Sequence, residues 1–320
     1  MSFAPTAALN TGAKIPLVGL GSWMGAPGPG GERAYEMCRK AIDIGYRHLD
    51  TAAGYANEEA VGKAIRDSGI PRSEFFVTTK LAQDRHHTVS AALSESLSKL
   101  GLDYVDLYLI HWPQAIVDGK TLQPEEHPTI NDTWADMERV YEEGKAKSIG
   151  VSNFSVKTLG QLEKTWKVVP AVNQIEAHPF LPWHELVPYC QAKGIHVTAY
   201  SPLGQPGGAE GVPSLVTNEL IAEIAEKYGV TTGQILLSWN VQRGVSVIPK
   251  SEKEDRLRKN ITIVKLEEKD VKAIDELHRQ PGLHRSLLAF IHSEDGVFGW
   301  TYEQLGWPYK FNGKGLIESA

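Results

Sequence analysis

Cysteine is scarce: Cys38 and Cys190 are the only two in 320 residues, far apart and without a CxxC or metal-ligand spacing. That excludes a disulfide framework and a zinc cluster, and it predicts two buried free thiols, since both lie in apolar-periodic segments. Long apolar runs are missing as well. Nothing approaches the ~20 residues that span a bilayer, and the opening Met-Ser-Phe-Ala-Pro-Thr has neither the basic nor the apolar region of a secretory signal. Basic charge is not in excess: 33 Lys and Arg face 39 Asp and Glu, a net of −6, which argues against a nucleic-acid surface. A cytoplasmic protein with no membrane or nucleic-acid partner is expected, in which the sequons at Asn131, Asn153 and Asn260 are chance matches. The glycine fingerprint of a doubly wound sheet is also lacking, because Gly19-Leu-Gly21-Ser-Trp-Met-Gly25 has the wrong spacing.

What the chain does have is rhythm. A short apolar run ends in a polar or small residue, and an amphipathic helix follows. Strands are predicted over 17–20, 47–50, 75–80, 105–111, 148–152, 171–176, 196–201 and 245–249. Helices are predicted over 32–44, 58–67, 88–100, 130–143, 155–165, 184–193, 218–228, 252–260 and 267–277. Leu9 to Val18 has the pattern of a small hairpin around Thr11-Gly12. Roughly eight βα units with no linker between them imply one domain over residues 1–320 and a parallel sheet. Near-continuous apolar strands such as Val105-Asp-Leu-Tyr-Leu-Ile110 fit a sheet buried on both faces. The expected fold is α/β, a closed (β/α)8 TIM barrel with the hairpin capping its bottom and a long C-terminal tail from residue 279.

In such barrels chemistry sits where strands end. Here the strand ends carry Trp23, Asp50, Lys80, His111, Ser152 with Asn153, Gln174, Tyr200 with Ser201, and Lys250 with Ser251. One histidine or lysine after an apolar strand is ordinary; polar groups at this many strand ends are not. The stretch Gly45-Tyr-Arg-His-Leu-Asp-Thr-Ala-Ala-Gly-Tyr55 ends its strand on a carboxylate and then presents a phenol. A phenol beside an ammonium is an acid/base device, because the cation favours the phenolate of a group whose free pKa is about 10. Asp50 orients Lys80, Tyr55 exchanges a proton with an alkoxide, and a neutral His111 donates to a carbonyl oxygen. The cluster lacks a hydride source, which a nicotinamide would supply. Ser152, Asn153 and Gln174 suit a carboxamide, and Tyr200 offers a flat face. The segment Lys250–Lys259, with five basic and three acidic side chains, suits a phosphate at a helix N-terminus. The glycines of Gly204–Gly211 suit a strap over a bound cofactor.

Four segments, Gly45–Gly62, Leu109-Ile-His-Trp-Pro113, Gly150-Val-Ser-Asn-Phe154 and Ile248-Pro-Lys-Ser251, closely resemble the aldo-keto reductase superfamily, in order over residues 8–278. The resemblance implies a barrel that binds NADPH without a Rossmann fold, with NADH as a weaker alternative. It implies Tyr55 as proton donor, completed by Asp50, Lys80 and His111. It also implies Ser152, Asn153 and Gln174 on the carboxamide, Tyr200 beneath the nicotinamide, Ser201 and Leu203 beside the cofactor, and Lys250, Ser251, Arg256 and Asn260 around the 2′-phosphate and adenine. Trp23 and Trp112 would line the pocket for a small carbonyl substrate. A monomer or weak dimer without metal is expected. Glu252 and Lys259 depart from the usual pattern, and Glu252 would repel the phosphate that Lys253 and Arg256 attract.

The tail is rich in aromatics (Phe290, Phe298, Trp300, Tyr302, Trp307, Tyr309, Phe311), so it is expected to pack on the barrel and partly wall the pocket. Its Phe298–Trp307 run is similar to tails of fungal members acting on small aldehydes, sugars and polyols. Three patterns are set aside. Tyr141 and Lys145 have a short-chain dehydrogenase spacing without the glycine turn. His184-Glu185 has Pro188 where a zinc-protease helix needs its second histidine. His86 and His87 are adjacent and do not share a helix face. A glycosidase needs two carboxylates, and only Glu176 is spare. The remaining alternative is the same fold as a binding or structural protein without catalysis.

Overall fold

The computed structural model describes residues 5–25, 31–205, 213–313 and 315–317. Eight parallel strands run side by side in sequence order: β1 (Leu20–Gly21), β2 (His48–Asp50), β3 (Phe76–Leu81), β4 (Leu107–Ile110), β5 (Ile149–Ser152), β6 (Val172–Glu176), β7 (His196–Tyr200) and β8 (Ser246–Val247). The first predicted strand is divided between two neighbours. Leu20 and Gly21 pair with β2, while the residues just before them close the cylinder. Val18 bridges Val247, Gly19 N donates to Val247 O at 2.8 Å, and Val247 N donates to Leu17 O at 2.8 Å. Gly21 belongs to that seam. A Cβ there would stand 2.6 Å from the Ile248 carbonyl oxygen, so Gly19 and Gly21, two of the glycines that failed as a nucleotide fingerprint, serve closure instead.

Helices α1 (Gly31–Ile44), α2 (Glu58–Asp67), α3 (Val89–Leu100), α4 (Ile130–Glu142), α5 (Val156–Leu162), α6 (Leu186–Ala192) and α7 (Glu219–Tyr228) fall where periodicity puts them. So do α9 (Glu254–Asn260) and α10 (Glu268–Asp275), with later starts. The helix α8 (Thr232–Gln242) was not predicted. Its residues Gln234 to Asn240 are buried all round, so no single apolar stripe marks it. The sequence does carry its start signal, a capping box in which Thr231 and Gln234 satisfy each other's backbone N–H.

The hairpin of Thr6–Ala8 and Lys14–Pro16 is antiparallel. Leu9 and Ile15 pack with Phe76, Leu107, Leu109, Ala171 and Val172 at the strands' N-terminal ends, so it plugs the bottom of the barrel as expected. Cys38 and Cys190 are buried free thiols, with burial pushing their pKa up to about 12 and about 11. The tail packs through Trp300, Tyr302 and Tyr309, all buried, while Phe290, Phe298 and Phe311 stay exposed. Gln114 Nε2 donates to Val297 O at 2.8 Å and Trp300 Nε1 to Leu122 O at 2.6 Å, tying the tail to the loop after β4. No described helix is long and apolar enough to cross a membrane.

Candidate active site

The apolar faces of β2 and β3 place Asp50 and Lys80 side by side at the C-terminal mouth of the cylinder. Lys80 Nζ donates to Asp50 Oδ1 at 2.5 Å and to Thr51 O at 2.8 Å. The other carboxylate oxygen, Oδ2, accepts from Gln174 Nε2 at 2.7 Å. After Asp50 a single 3-10 turn, Ala53–Tyr55, swings the phenol back over the barrel, and Ala56 takes the left-handed conformation at φ 55° to release the chain into α2. Asn57 locks that turn. Its Oδ1 accepts from Thr51 Oγ1 at 2.7 Å, and its Nδ2 donates to Ser22 O at 2.7 Å. Small residues are therefore needed at 52–54 for the tight turn, and Asn57 is a positioning residue that sequence reasoning passed over.

The Tyr55 ring has three neighbours. Lys80 Nζ lies 5.0 Å from its centroid, the His111 ring stands edge-on at 5.6 Å, and Trp23 is 5.1 Å away. Burial pushes the Tyr55 hydroxyl above its ordinary value of 10.0; the Lys80 charge pulls the other way but does not win. The expected acidified phenol is thus corrected. The protein packed around the ring penalises the phenolate more than one ammonium, itself paired to Asp50, favours it. Burial alone would lower the Lys80 ammonium, but the Asp50 charge leads a set of influences that raise it overall. His111 is brought down to about 3, first by burial and then by the Lys80 charge, so its imidazole is neutral.

A cavity of about 990 Å³ runs from this cluster along the barrel mouth. Trp23, Trp112, Ser152, Asn153, Gln174, Tyr200, Ser201, Leu203, Lys250, Ser251, Arg256 and Asn260 all line it, with Asp50, Tyr55 and His111. Lys80 lies beneath, fully buried behind Asp50. Asn153, at φ 66°, reaches three ways. Its Nδ2 donates to His111 O at 3.0 Å and Ser152 Oγ at 3.1 Å, and its Oδ1 accepts from Tyr200 OH at 2.7 Å. Asn153 is buried among these partners and Asn260 is buried at the end of α9, so neither of these two sequon asparagines presents an open side chain.

At the far end, α9 begins at Glu254, two residues later than predicted. Lys250 and Ser251 therefore stand on the loop before it rather than at a helix N-terminus. Lys250 pairs with Glu252, Arg258 with Glu254, and Lys259 with Asp255. Lys253 and Arg256 have no ion pair among the described residues. Two cations without partners, aimed at an elongated cavity whose other end is a hydrogen-bonded amide set beside a flat phenol ring, fit a phosphorylated nicotinamide dinucleotide. The predicted strap over Gly204–Gly211 lies largely outside the described residues; Gly204 and Gln205 are seen, and Gln205 lines the cavity.

Around Tyr55 the wall is Trp23, Met24, Ala82, Gln83, Trp112, Leu288, Phe290, Ile291 and Phe298. Trp112 is braced by Phe298 at 4.9 Å and Trp307 at 6.1 Å. Gln83 was not foreseen. Its amide nitrogen is buried without a hydrogen-bond partner, one of few polar groups on an apolar wall. The spare acid Glu176 is already engaged: Oε2 accepts from Ser286 Oγ at 2.6 Å, and Oε1 accepts from Leu287 N at 2.8 Å and meets His178 Nε2 at 2.9 Å. It anchors the tail, which removes the second carboxylate a glycosidase would use. No cluster of metal ligands occurs among the described residues.

Comparison with known proteins agrees with this geometry. The profile of the Aldo/keto reductase family matches residues 17–279. Glycerol 2-dehydrogenase (NADP(+)) of Saccharomyces cerevisiae is 44% identical over 296 residues, covering 87% of this chain and 92% of its own. D/L-glyceraldehyde reductase of Hypocrea jecorina is 40% identical over 304 residues, covering 88% and 90%. Among solved structures, a Bombyx mori aldo-keto reductase in complex with NADP superposes with a TM-score of 0.81 at 38% identity, covering 87% of this chain and 94% of that one. The chain belongs to the aldo/keto reductase family. It is an NADP(H)-dependent oxidoreductase acting on carbonyl groups.

Proposed function

We propose that the protein reduces small aldehydes, hydroxylated three-carbon ones among them, and oxidises the matching alcohols in reverse. The printed activities of its fungal relatives, glycerol 2-dehydrogenase and D/L-glyceraldehyde reductase, support that substrate range. The observation that carries the mechanism is the meeting of Tyr55, Lys80 and His111 around one apolar-walled space. NADPH, when bound, supplies the hydride. Ser152, Asn153 and Gln174 would hold its carboxamide, the Tyr200 ring would offer its face to the nicotinamide, and Ser201 and Leu203 would flank it. Lys250, Ser251, Arg256 and Asn260 receive the 2′-phosphate and adenine, with NADH accepted more weakly.

Tyr55 gives its proton to the carbonyl oxygen as negative charge develops there. Its raised pKa keeps it protonated at neutral pH, which is the form a donor needs. Lys80 stabilises the phenolate left behind, and Asp50 fixes Lys80. His111, neutral, donates an N–H to the same oxygen and sets its angle. Trp23 and Trp112 shape the apolar wall and exclude water. The enzyme works in the cytoplasm as a monomer or weak dimer.

The test is NADPH oxidation followed by absorbance at 340 nm with a panel of aldehydes. Wild type should turn over glyceraldehyde. Tyr55→Phe should lose a factor of about 10² to 10⁴ in kcat while binding NADPH within about two-fold of wild type. Tyr55→Phe turning over at the wild-type rate would remove Tyr55 from its role, and no consumption with any carbonyl would favour a binding protein.

A further inference from the structure

Glu252 faces the cavity from the loop between β8 and α9, among Lys250, Ser251, Lys253 and Arg256. A lone carboxylate there opposes an anionic ligand. It is not alone. Arg33, in the first turn of α1, reaches it with both arms of its guanidinium: Nε donates to Oε2 at 2.9 Å and Nη2 to Oε1 at 2.7 Å. Lys250 Nζ donates to the same Oε1 at 2.6 Å. Arg33 itself does not line the cavity, so it holds the carboxylate from behind. A two-point guanidinium pair fixes orientation as well as charge. The Arg33 hydrogen bonds, followed by that from Lys250, hold the Glu252 carboxyl down at about 2, so it is ionised at neutral pH.

We propose that Arg33 is a cofactor-specificity residue that acts through Glu252: its two-point clasp, shared with Lys250, fixes that carboxylate and offsets its charge, leaving Lys253 and Arg256, which have no ion pair among the described residues, to receive the 2′-phosphate. This rests on the assignment of the 2′-phosphate to the Lys250–Arg256 loop. NADH has no phosphate at that position, so releasing Glu252 penalises NADPH selectively.

The experiment is fluorescence titration of the purified protein with NADPH and with NADH, at low and at high salt. Arg33→Ala should weaken NADPH binding about 3- to 10-fold, in the range of exposed ion pairs, and NADH binding less than about 2-fold. The difference should shrink at high salt. Arg33→Lys, which keeps charge without the fork, should recover part of the loss. In a Glu252→Gln background Arg33→Ala should change nothing beyond about 2-fold, because the group it restrains is gone. Equal weakening of both cofactors, or the same loss in the Glu252→Gln background, would overturn the proposal. The underlying assignment has its own control. If Glu252→Gln and Arg256→Ala both leave the NADPH-to-NADH ratio unchanged, the phosphate binds elsewhere. If they shift it and Arg33→Ala does not, the clasp alone is wrong.

Discussion

Lys80 Nζ sits 2.5 Å from Asp50 Oδ1, and neither side chain is more than 1% exposed. A pair so buried is asymmetric in its energetics: removing one partner strands the other charge away from water. Asp50→Asn should therefore cost about 3–5 kcal/mol of stability and also misplace Lys80 and Gln174, whose amide donates to the same carboxylate. Urea unfolding checks the first effect, and kcat/KM of the folded fraction checks the second, with a loss of at least about 10²-fold expected. A stable, active Asp50→Asn variant would mean the pair is dispensable.

The pH profile of reduction follows from two groups. Tyr55 must be protonated to donate, and it is protonated below its pKa, which lies above 10.0. The reductive kcat/KM should accordingly show no Tyr55 limb until pH passes 10.0. His111 must be neutral, and it is neutral above about 3. The profile should be flat through the neutral range. Alcohol oxidation needs the phenolate and should rise with pH across the same range. Stopped-flow or steady-state rates against pH in both directions check this; a limb near neutrality in reduction would point to a different acid.

The barrel was legible because each strand announces its end: an apolar run stops at Asp50, Lys80, His111 or Tyr200, and that boundary is set locally. What was not legible depends on distance or on enclosure. The Arg33–Glu252 contact joins residues 219 apart in sequence. The α8 helix hides because it is buried on all sides, leaving only the Thr231–Gln234 box as a signal. The sign of the Tyr55 shift was misjudged because a sequence displays the lysine but not the desolvation that outweighs it.

Gln83 is such a case of enclosure, and it bears on substrate choice. A buried amide N–H without a partner is costly unless a ligand completes it. Gln83 lines the same cavity as Tyr55, and rotation of its amide toward that space would let the N–H donate to a substrate hydroxyl. Gln83→Leu should lower kcat/KM for glyceraldehyde about ten-fold, the effect of one lost hydrogen bond of about 1.4 kcal/mol, and leave propanal, which has no hydroxyl, within about two-fold. Competition assays with both aldehydes measure the ratio directly. Equal losses would show that Gln83 acts on the fold and not on the hydroxyl.

Glu176 holds the tail where the substrate wall begins. Burial alone would raise its pKa, but the His178 hydrogen bond and charge, with Ser286 and the Leu287 amide, bring it below 4.5. A depressed carboxylate contributes stability that is present above its unfolded value and is lost as pH falls through the folded one. Glu176→Gln should therefore cost about 2 kcal/mol at neutral pH and flatten the acid side of the stability curve below pH 4.5. Leu288, Phe290 and Ile291 follow directly on Ser286 and Leu287 and line the cavity, so the aldehyde KM should rise several-fold while cofactor affinity is kept. Urea titrations at neutral and acid pH, with KM measured alongside, check both halves. An unchanged KM with the stability loss in place would mean that the wall stays put without its anchor.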